Sequence, residues 1–113
     1  MKILILGVTG MLGNTLFRYF SKDKNFKVFG TIRGNRAPSP LAPNSFGKVV
    51  GGIDVENQDS LVRIFAEIKP QIVINCIGIV KQLDAANDPL HAIPINSLLP
   101  HRLAILSEAT GAR

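Results

Sequence analysis

Two stretches of the chain, Ile3 to Leu6 and Gln71 to Ile77, are nearly unbroken apolar runs of strand length. They lack the alternation of a half-exposed strand and predict strands buried on both faces. Lys27 to Ile32, rich in Val, Phe, Thr and Ile, and the shorter Lys48 to Val50 predict two more. Helical periodicity alternates with these runs. After Gly10, residues Leu12, Leu16, Tyr19 and Phe20 recur at i, i+4, i+7 and i+8, which predicts one apolar stripe laid against a sheet. Asn57 is placed to cap a second helix with the stripe Leu61, Ile64, Phe65 and Ile68, and Pro70 stops it. Asp88-Pro89 offers a cap and a first-turn proline for a last helix with Leu99, Leu103 and Leu106 on one face and Gly111 at its end. Pro94 and Pro100 each remove a backbone donor within that segment and predict a late start or a kink. The order β, α, β, loop, β, α, β, α implies an α/β fold in which right-handed crossovers and flanking helices cover a parallel sheet of about four strands.

Residues Gly34 to Gly47, with Pro38, Pro40 and Pro43 and little apolar periodicity, read as a long surface loop. No repeat is present, and the loop is too short to act as a linker between domains, so 113 residues form one domain. The final Ala109 to Arg113 reads as a helix end leading toward a further strand, and the edge after the fourth strand is expected to be unpaired, which predicts self-association, a homo-oligomer among its forms, or poor solubility unless something covers it. No apolar stretch reaches the length of a membrane span, and the apolar start is followed at once by glycines rather than a cleavage-like site, so no membrane partner is expected. The single cysteine, Cys76, cannot form an internal disulfide, and a reducing cytoplasm is the expected compartment. A net charge of +5 would suit a polyanion, but the basic residues are scattered and few aromatics interleave with them. They read as a dispersed solvated face, with no nucleic-acid partner.

Gly7-Val8-Thr9-Gly10-Met11-Leu12-Gly13 stands between the first strand and the first helix. Gly7 permits a tight turn, Gly10 lets backbone approach a pyrophosphate, and Gly13 allows the helix to pack closely on the strand. The helix N-terminus adds free N–H groups and a partial positive charge. An acidic residue at the end of the second strand would hold the ribose hydroxyls of NAD. The sequence has Thr31-Ile32-Arg33-Gly34 there, and a guanidinium can grip a 2′-phosphate with paired hydrogen bonds. NADP(H) is therefore preferred, with NAD(H) the alternative cofactor; the competing reading of Arg33 is a solvated surface arginine.

These residues resemble the extended short-chain dehydrogenase/reductase superfamily, whose loop reads G-x-x-G-x-x-G with Thr or Ser often at the third place. The resemblance implies a Rossmann-type fold. It also implies that Gly7, Thr9, Gly10, Met11, Leu12 and Gly13 contact the cofactor. Asn75-Cys76-Ile77-Gly78 resembles the family's Asn-Ala-Ala-Gly segment lying against the cofactor, Asp54-Val55 its adenine-contacting pair, and Asn96 its helix-four asparagine. Val73-Ile74-Asn75, Asp88-Pro89, Asn96 and Pro100 are similar to dTDP-4-dehydrorhamnose reductases and related sugar-nucleotide reductases. That narrower likeness implies reduction of a nucleotide-linked 4-keto sugar, as in deoxysugar synthesis for surface polysaccharide, with a sugar nucleotide as substrate.

Such reductases use a Tyr-x-x-x-Lys pair with a Ser or Thr on the fifth strand, and neither is in this chain. Its only tyrosine, Tyr19, is followed by Asp23 four positions later. Residues 1–113 thus read as the NAD(P)-binding portion of a longer reductase, without substrate domain or catalytic residues, and inactive alone. Cys76 reads as an inert core thiol rather than a nucleophile, since no histidine stands near it. His91 and His101 have no cysteine or carboxylate at metal-ligand spacing, so no metal is expected. Lys81 and Gln82 follow the fourth strand and read equally well as facing the ligand or as solvated. Two other functions fit the motifs: an epimerase or dehydratase of the same superfamily, against which Arg33 argues, and a non-catalytic cofactor sensor.

Overall fold

The computed structural model describes residues 1–34, 47–78, 90 and 93–113. Four strands, β1 (Lys2–Leu6), β2 (Lys27–Thr31), β3 (Gly47–Val50) and β4 (Ile72–Asn75), pair in parallel in the order β3-β2-β1-β4. Helix α1 (Met11–Ser21) joins β1 to β2, α2 (Gln58–Ile68) precedes β4, and α3 (Leu99–Thr110) follows a π-helical turn over Pro94–Leu98. The chain moves outward from β1 to β3 and then returns to place β4 on the other side of β1. The reversal lies between β1 and β4, where a doubly wound sheet opens a crevice at its carboxyl edge. This is the α/β fold expected of the pattern, with all four strands present.

Period-two alternation in β1 divides the core. Leu4 and Leu6 face α2 and α3 and pack with Leu61, Ile64, Phe65, Ile68, Leu99 and Leu103. Ile3 and Ile5 face α1 and pack with Val8, Phe17, Val28 and Ile32. Helix α2 follows its expected pattern: the Asn57 side chain accepts a hydrogen bond from Ser60 N–H at 3.2 Å, and the four residues of the stripe are buried. It ends at Lys69 in the left-handed region (φ 52°), whose N–H returns to Phe65 O, and Pro70 prevents another turn.

The stripe expected on α1 is corrected. Leu12 and Tyr19 are 62% and 70% exposed, whereas Gly13, Phe17 and Ser21 are buried, with Leu16 and Phe20 partly buried beside them. The helix is rotated because Gly13, the residue without a side chain, must face β1. A Cβ there would overlap the Gly7 carbonyl oxygen and stand 2.9 Å from the Gly7 carbonyl carbon. Phe17, one turn later, is then carried onto the sheet. Its ring lies over Gly30 and Gly47, where added Cβ atoms would come within 2.8 and 2.7 Å of it. Tyr19 is left outside, edge-on to Phe20 with ring centroids 5.3 Å apart.

The last helix has its irregularity where the prolines predict it. Pro100 has no N–H to offer the Asn96 carbonyl and would crowd it, and the backbone widens into the π-turn immediately before α3. Leu99 and Leu103 are buried, Leu106 is partly so, and Gly111 closes the helix with φ 77°. The Asp88-Pro89 cap, the Pro38, Pro40 and Pro43 loop, Lys81, Gln82 and His91 lie outside the described residues. Strand β4 is half-buried rather than buried on both faces, since it is the last strand on its side and α1 packs over β1, β2 and β3. Its edge is also not wholly unpaired: Arg113 N–H donates to Gln71 O (3.0 Å) and Val73 N–H to Arg113 O (2.6 Å), the bonding of a parallel neighbour. Among the described residues no helix is long and apolar enough to cross a membrane.

Two stability outcomes follow. Gly13→Ala forces a methyl group into backbone and is expected to lower unfolding free energy by about 3 kcal/mol or to prevent folding, the severe end of overpacking. Asn57→Ala removes one cap and is expected to cost about 1 kcal/mol. Urea denaturation followed by circular dichroism measures both.

Candidate functional site

The turn after β1 is built against its neighbours on both sides. Gly7 adopts φ 83°, and a Cβ there would meet the Ile77 side chain at 2.7 Å. From β4, Cys76 N–H donates to Leu6 O, and the Asn75 side chain accepts Ile77 N–H at 3.0 Å, which folds residues 75–78 across the mouth of the loop. From β2, the Thr31 hydroxyl accepts Gly7 N–H and its carbonyl accepts Val8 N–H. Gly10 then serves as N-cap of α1 without a side-chain cap, and the first helical bond runs from Asn14 N–H to Gly10 O. No acidic residue lies in the first turn. The leading amides and the positive end of the helix dipole are therefore not compensated by side chains of the cap or the first turn.

The three loop glycines have different physical causes. Gly7 and Gly13 are demanded by the protein's own packing. Gly10 is not: among the described residues the nearest atom outside its chain neighbours and its own helix to a Cβ there would be the Gly7 carbonyl oxygen, at 3.9 Å. The space beside Gly10 is open, which is the provision a closely approaching ligand requires.

Beyond the loop a cleft of about 240 Å³ opens at the carboxyl ends of β1, β2 and β4. Backbone bonds beyond the strands hold its walls, with Ile32 N–H donating to Val50 O, Ile53 N–H to Ile32 O and Gly52 N–H to Gly34 O. They set the exposed Arg33 on the same cleft as Asp54, whose carboxylate accepts Glu56 N–H (3.0 Å) and whose carbonyl accepts Asn57 N–H, so that it forms the turn into α2. Of the residues singled out by sequence, Gly7, Thr9, Arg33, Asp54, Val55, Ile77 and Gly78 line this cleft. Gly10, Met11 and Leu12 follow Thr9 at the start of α1 and do not line the cleft; Met11 is 90% exposed, and Gly13 is buried. Asn96 lies in the π-turn, its Oδ1 3.7 Å from where a Cβ on Gly78 would stand. The Cys76 side chain packs with the core on the α1 side, and burial pushes its thiol pKa up, as expected of an unreactive thiol.

Thr31, Ile32, Ile53, Glu56 and Ile95 also line the cleft and were not foreseen as site residues. Ile32, Ile53 and Ile95 give no signal beyond core composition. Thr31 gives one: a hydroxyl at the end of a buried strand needs a hydrogen-bond partner, and the nearest backbone to need one in turn is the glycine loop. Chemically, the cleft offers amides and a helix dipole to a diphosphate, a guanidinium to a further anion, carboxylates to hydroxyl or amine donors, and isoleucine side chains to a flat ring.

The fold recurs in solved structures three times as long. A dTDP-4-dehydrorhamnose reductase from Clostridium acetobutylicum is 28% identical, with a TM-score of 0.71 over 100% of this chain and 34% of that one. The Thermus thermophilus UDP-glucose 4-epimerase complex with NAD is 17% identical, with a TM-score of 0.81 over 100% of this chain and 35% of that one. A Bacillus anthracis dTDP-4-dehydrorhamnose reductase in complex with NADP is 21% identical, with a TM-score of 0.71 over 99% and 34%. The chain thus spans about a third of the length of the structures it matches. The sequence model of one family runs through the glycine loop, the cleft and both ends of the sheet, from residue 3 to residue 113, and the chain belongs to that family, the NAD dependent epimerase/dehydratase family.

Proposed function

We propose that residues 1–113 form the dinucleotide-binding portion of a reductase acting on a nucleotide-linked 4-keto sugar, with NADP(H) preferred over NAD(H). The observation that carries the dinucleotide reading is the open space at Gly10, at the start of α1 that no side chain caps, one residue beyond Thr9 on the cleft wall. The amides of Met11 and Leu12 receive the diphosphate, Asp54 and Val55 the adenine, and Arg33 the 2′-phosphate. The segment Cys76-Ile77-Gly78 and Asn96 border the remainder of the ligand. When bound, the reduced cofactor supplies a hydride equivalent, and this chain's residues hold and orient it. The reductase reading is supported by the 28% identity to the Clostridium acetobutylicum dTDP-4-dehydrorhamnose reductase and by Arg33 where an acidic residue would favour NAD. A sugar-nucleotide epimerase or dehydratase is the second reading, favoured by the likeness to the Thermus thermophilus epimerase crystallised with NAD.

Calorimetric titration with NADPH and NADH tests the proposal. NADPH is expected to bind more tightly. Arg33→Ala is expected to weaken NADPH about 10- to 100-fold, the loss of one or two charged hydrogen bonds, and to leave NADH within about twofold. Gly10→Val, at a position where a Cβ meets no described atom outside its chain neighbours and its own helix nearer than 3.9 Å, is expected to abolish binding of both with little change in the urea midpoint. Equal affinity for the two nucleotides, unmoved by Arg33→Ala, would remove the NADP(H) preference, and no binding of either would remove the dinucleotide reading.

A further inference from the structure

We infer that Thr31 is a positioning residue for the diphosphate-binding loop, holding its amides in register through a hydroxyl that accepts the Gly7 amide while its own carbonyl accepts the next one, from Val8. The inference rests on the dinucleotide reading. In the ladder between β1 and β2, Leu6 pairs with Thr31, and β1 ends there. The chain turns at Gly7 with φ 83°, so the regular bonding to β2 stops while two amides still face that strand. Thr31 meets both. Its hydroxyl oxygen accepts Gly7 N–H at 3.2 Å and its carbonyl oxygen accepts Val8 N–H at 3.1 Å.

Thr31 is 2% exposed and is one of two buried polar residues among those described. Valine has the same shape and equal β-propensity, so strand formation and packing do not call for the hydroxyl. The Gly7 amide does. Without the hydroxyl it would be left in a part-buried position with no acceptor, and from the β2 side the loop would be held by the single backbone bond from Val8 N–H to the Thr31 carbonyl. The same residue is two positions from Arg33 and lines the cleft with it. One strand end thus orients the loop for the diphosphate and carries the guanidinium for a second anion two residues on.

The test uses the 113-residue chain with Thr31→Val and Thr31→Ser, two ligands and one ligand-free readout. NADPH spans both anion sites, whereas 2′-AMP reaches only Arg33 and the adenine wall. Thr31→Val is expected to weaken NADPH about tenfold and leave 2′-AMP within about twofold, and Thr31→Ser is expected to restore NADPH binding. Without ligand, hydrogen exchange by NMR is expected to show the Gly7 amide exchanging at least about tenfold faster in Thr31→Val than in the parent or the Ser variant. Unchanged Gly7 protection, or equal weakening of both ligands, overturns the positioning role even if the parent binds NADPH. A parent chain that binds neither ligand instead overturns the dinucleotide reading, and the role of Thr31 with it.

Discussion

Helix α1 meets strand β1 at a point where two backbones touch with no side chain between them. Gly13 lies on the Gly7 carbonyl, and a single methyl group at Gly13 has no room. That contact rotates the helix about its axis, which determines that Phe17 and Ser21, four and eight residues on, also face the sheet. Phe17 in turn needs two flat places on the neighbouring strands, and Gly30 and Gly47 provide them. The glycines of β2 and β3, positions that would ordinarily weaken a strand, thus make room for the Phe17 ring together with Val8 at Gly30 and Ser21 at Gly47. The functional consequence lies at the other end of the same helix: once Gly13 is seated, the first amides of α1 must open onto the carboxyl edge of the sheet.

Most of the architecture was legible in the sequence because strands buried on two faces and helices with one apolar stripe leave simple periodic traces. Helix α2 is the clearest case, since its cap, its four buried residues and its terminating proline were all present as residue types at the right spacing. Helix α1 misled for a physical reason. Leu12 and Tyr19 are apolar enough to extend a stripe, yet its buried line runs through Gly13 and Ser21, which hydrophobicity does not single out. The state of β4 was beyond the reach of local pattern, because Ile72 to Asn75 reads as a fully buried strand whether or not anything covers its outer side. Arg113 bonding to the β4 edge involves only backbone atoms and carries no side-chain signature at all.

At the candidate site the division is similar. Glycine spacing located the loop, and Arg33 and Asp54 were recognisable from their distance along the chain and from family resemblance. The walls made by Ile53 and Ile95 come from segments more than 40 residues apart that meet only in the folded sheet. Nor does spacing reveal that Gly7, Gly10 and Gly13 are glycine for different reasons. Two are required by the protein's own packing; the third leaves room that none of the described residues fills.

The strand order also has a bearing on how the chain acquires its shape. Strand β1 is made first but ends up between β2, whose partner residues begin at Lys27, and β4, whose partners begin at Ile72. A chain emerging from the ribosome can close β1, α1 and β2 into a local unit early, while the other side of β1 waits for some 70 residues of synthesis, with the larger loop-closure entropy that this implies. The floor of the cleft at Ile77 and Gly78 belongs to the late segment, whereas the glycine loop belongs to the early one. The cleft is therefore a property of the completed sheet, and anything bound in it would draw together segments synthesised some 70 residues apart.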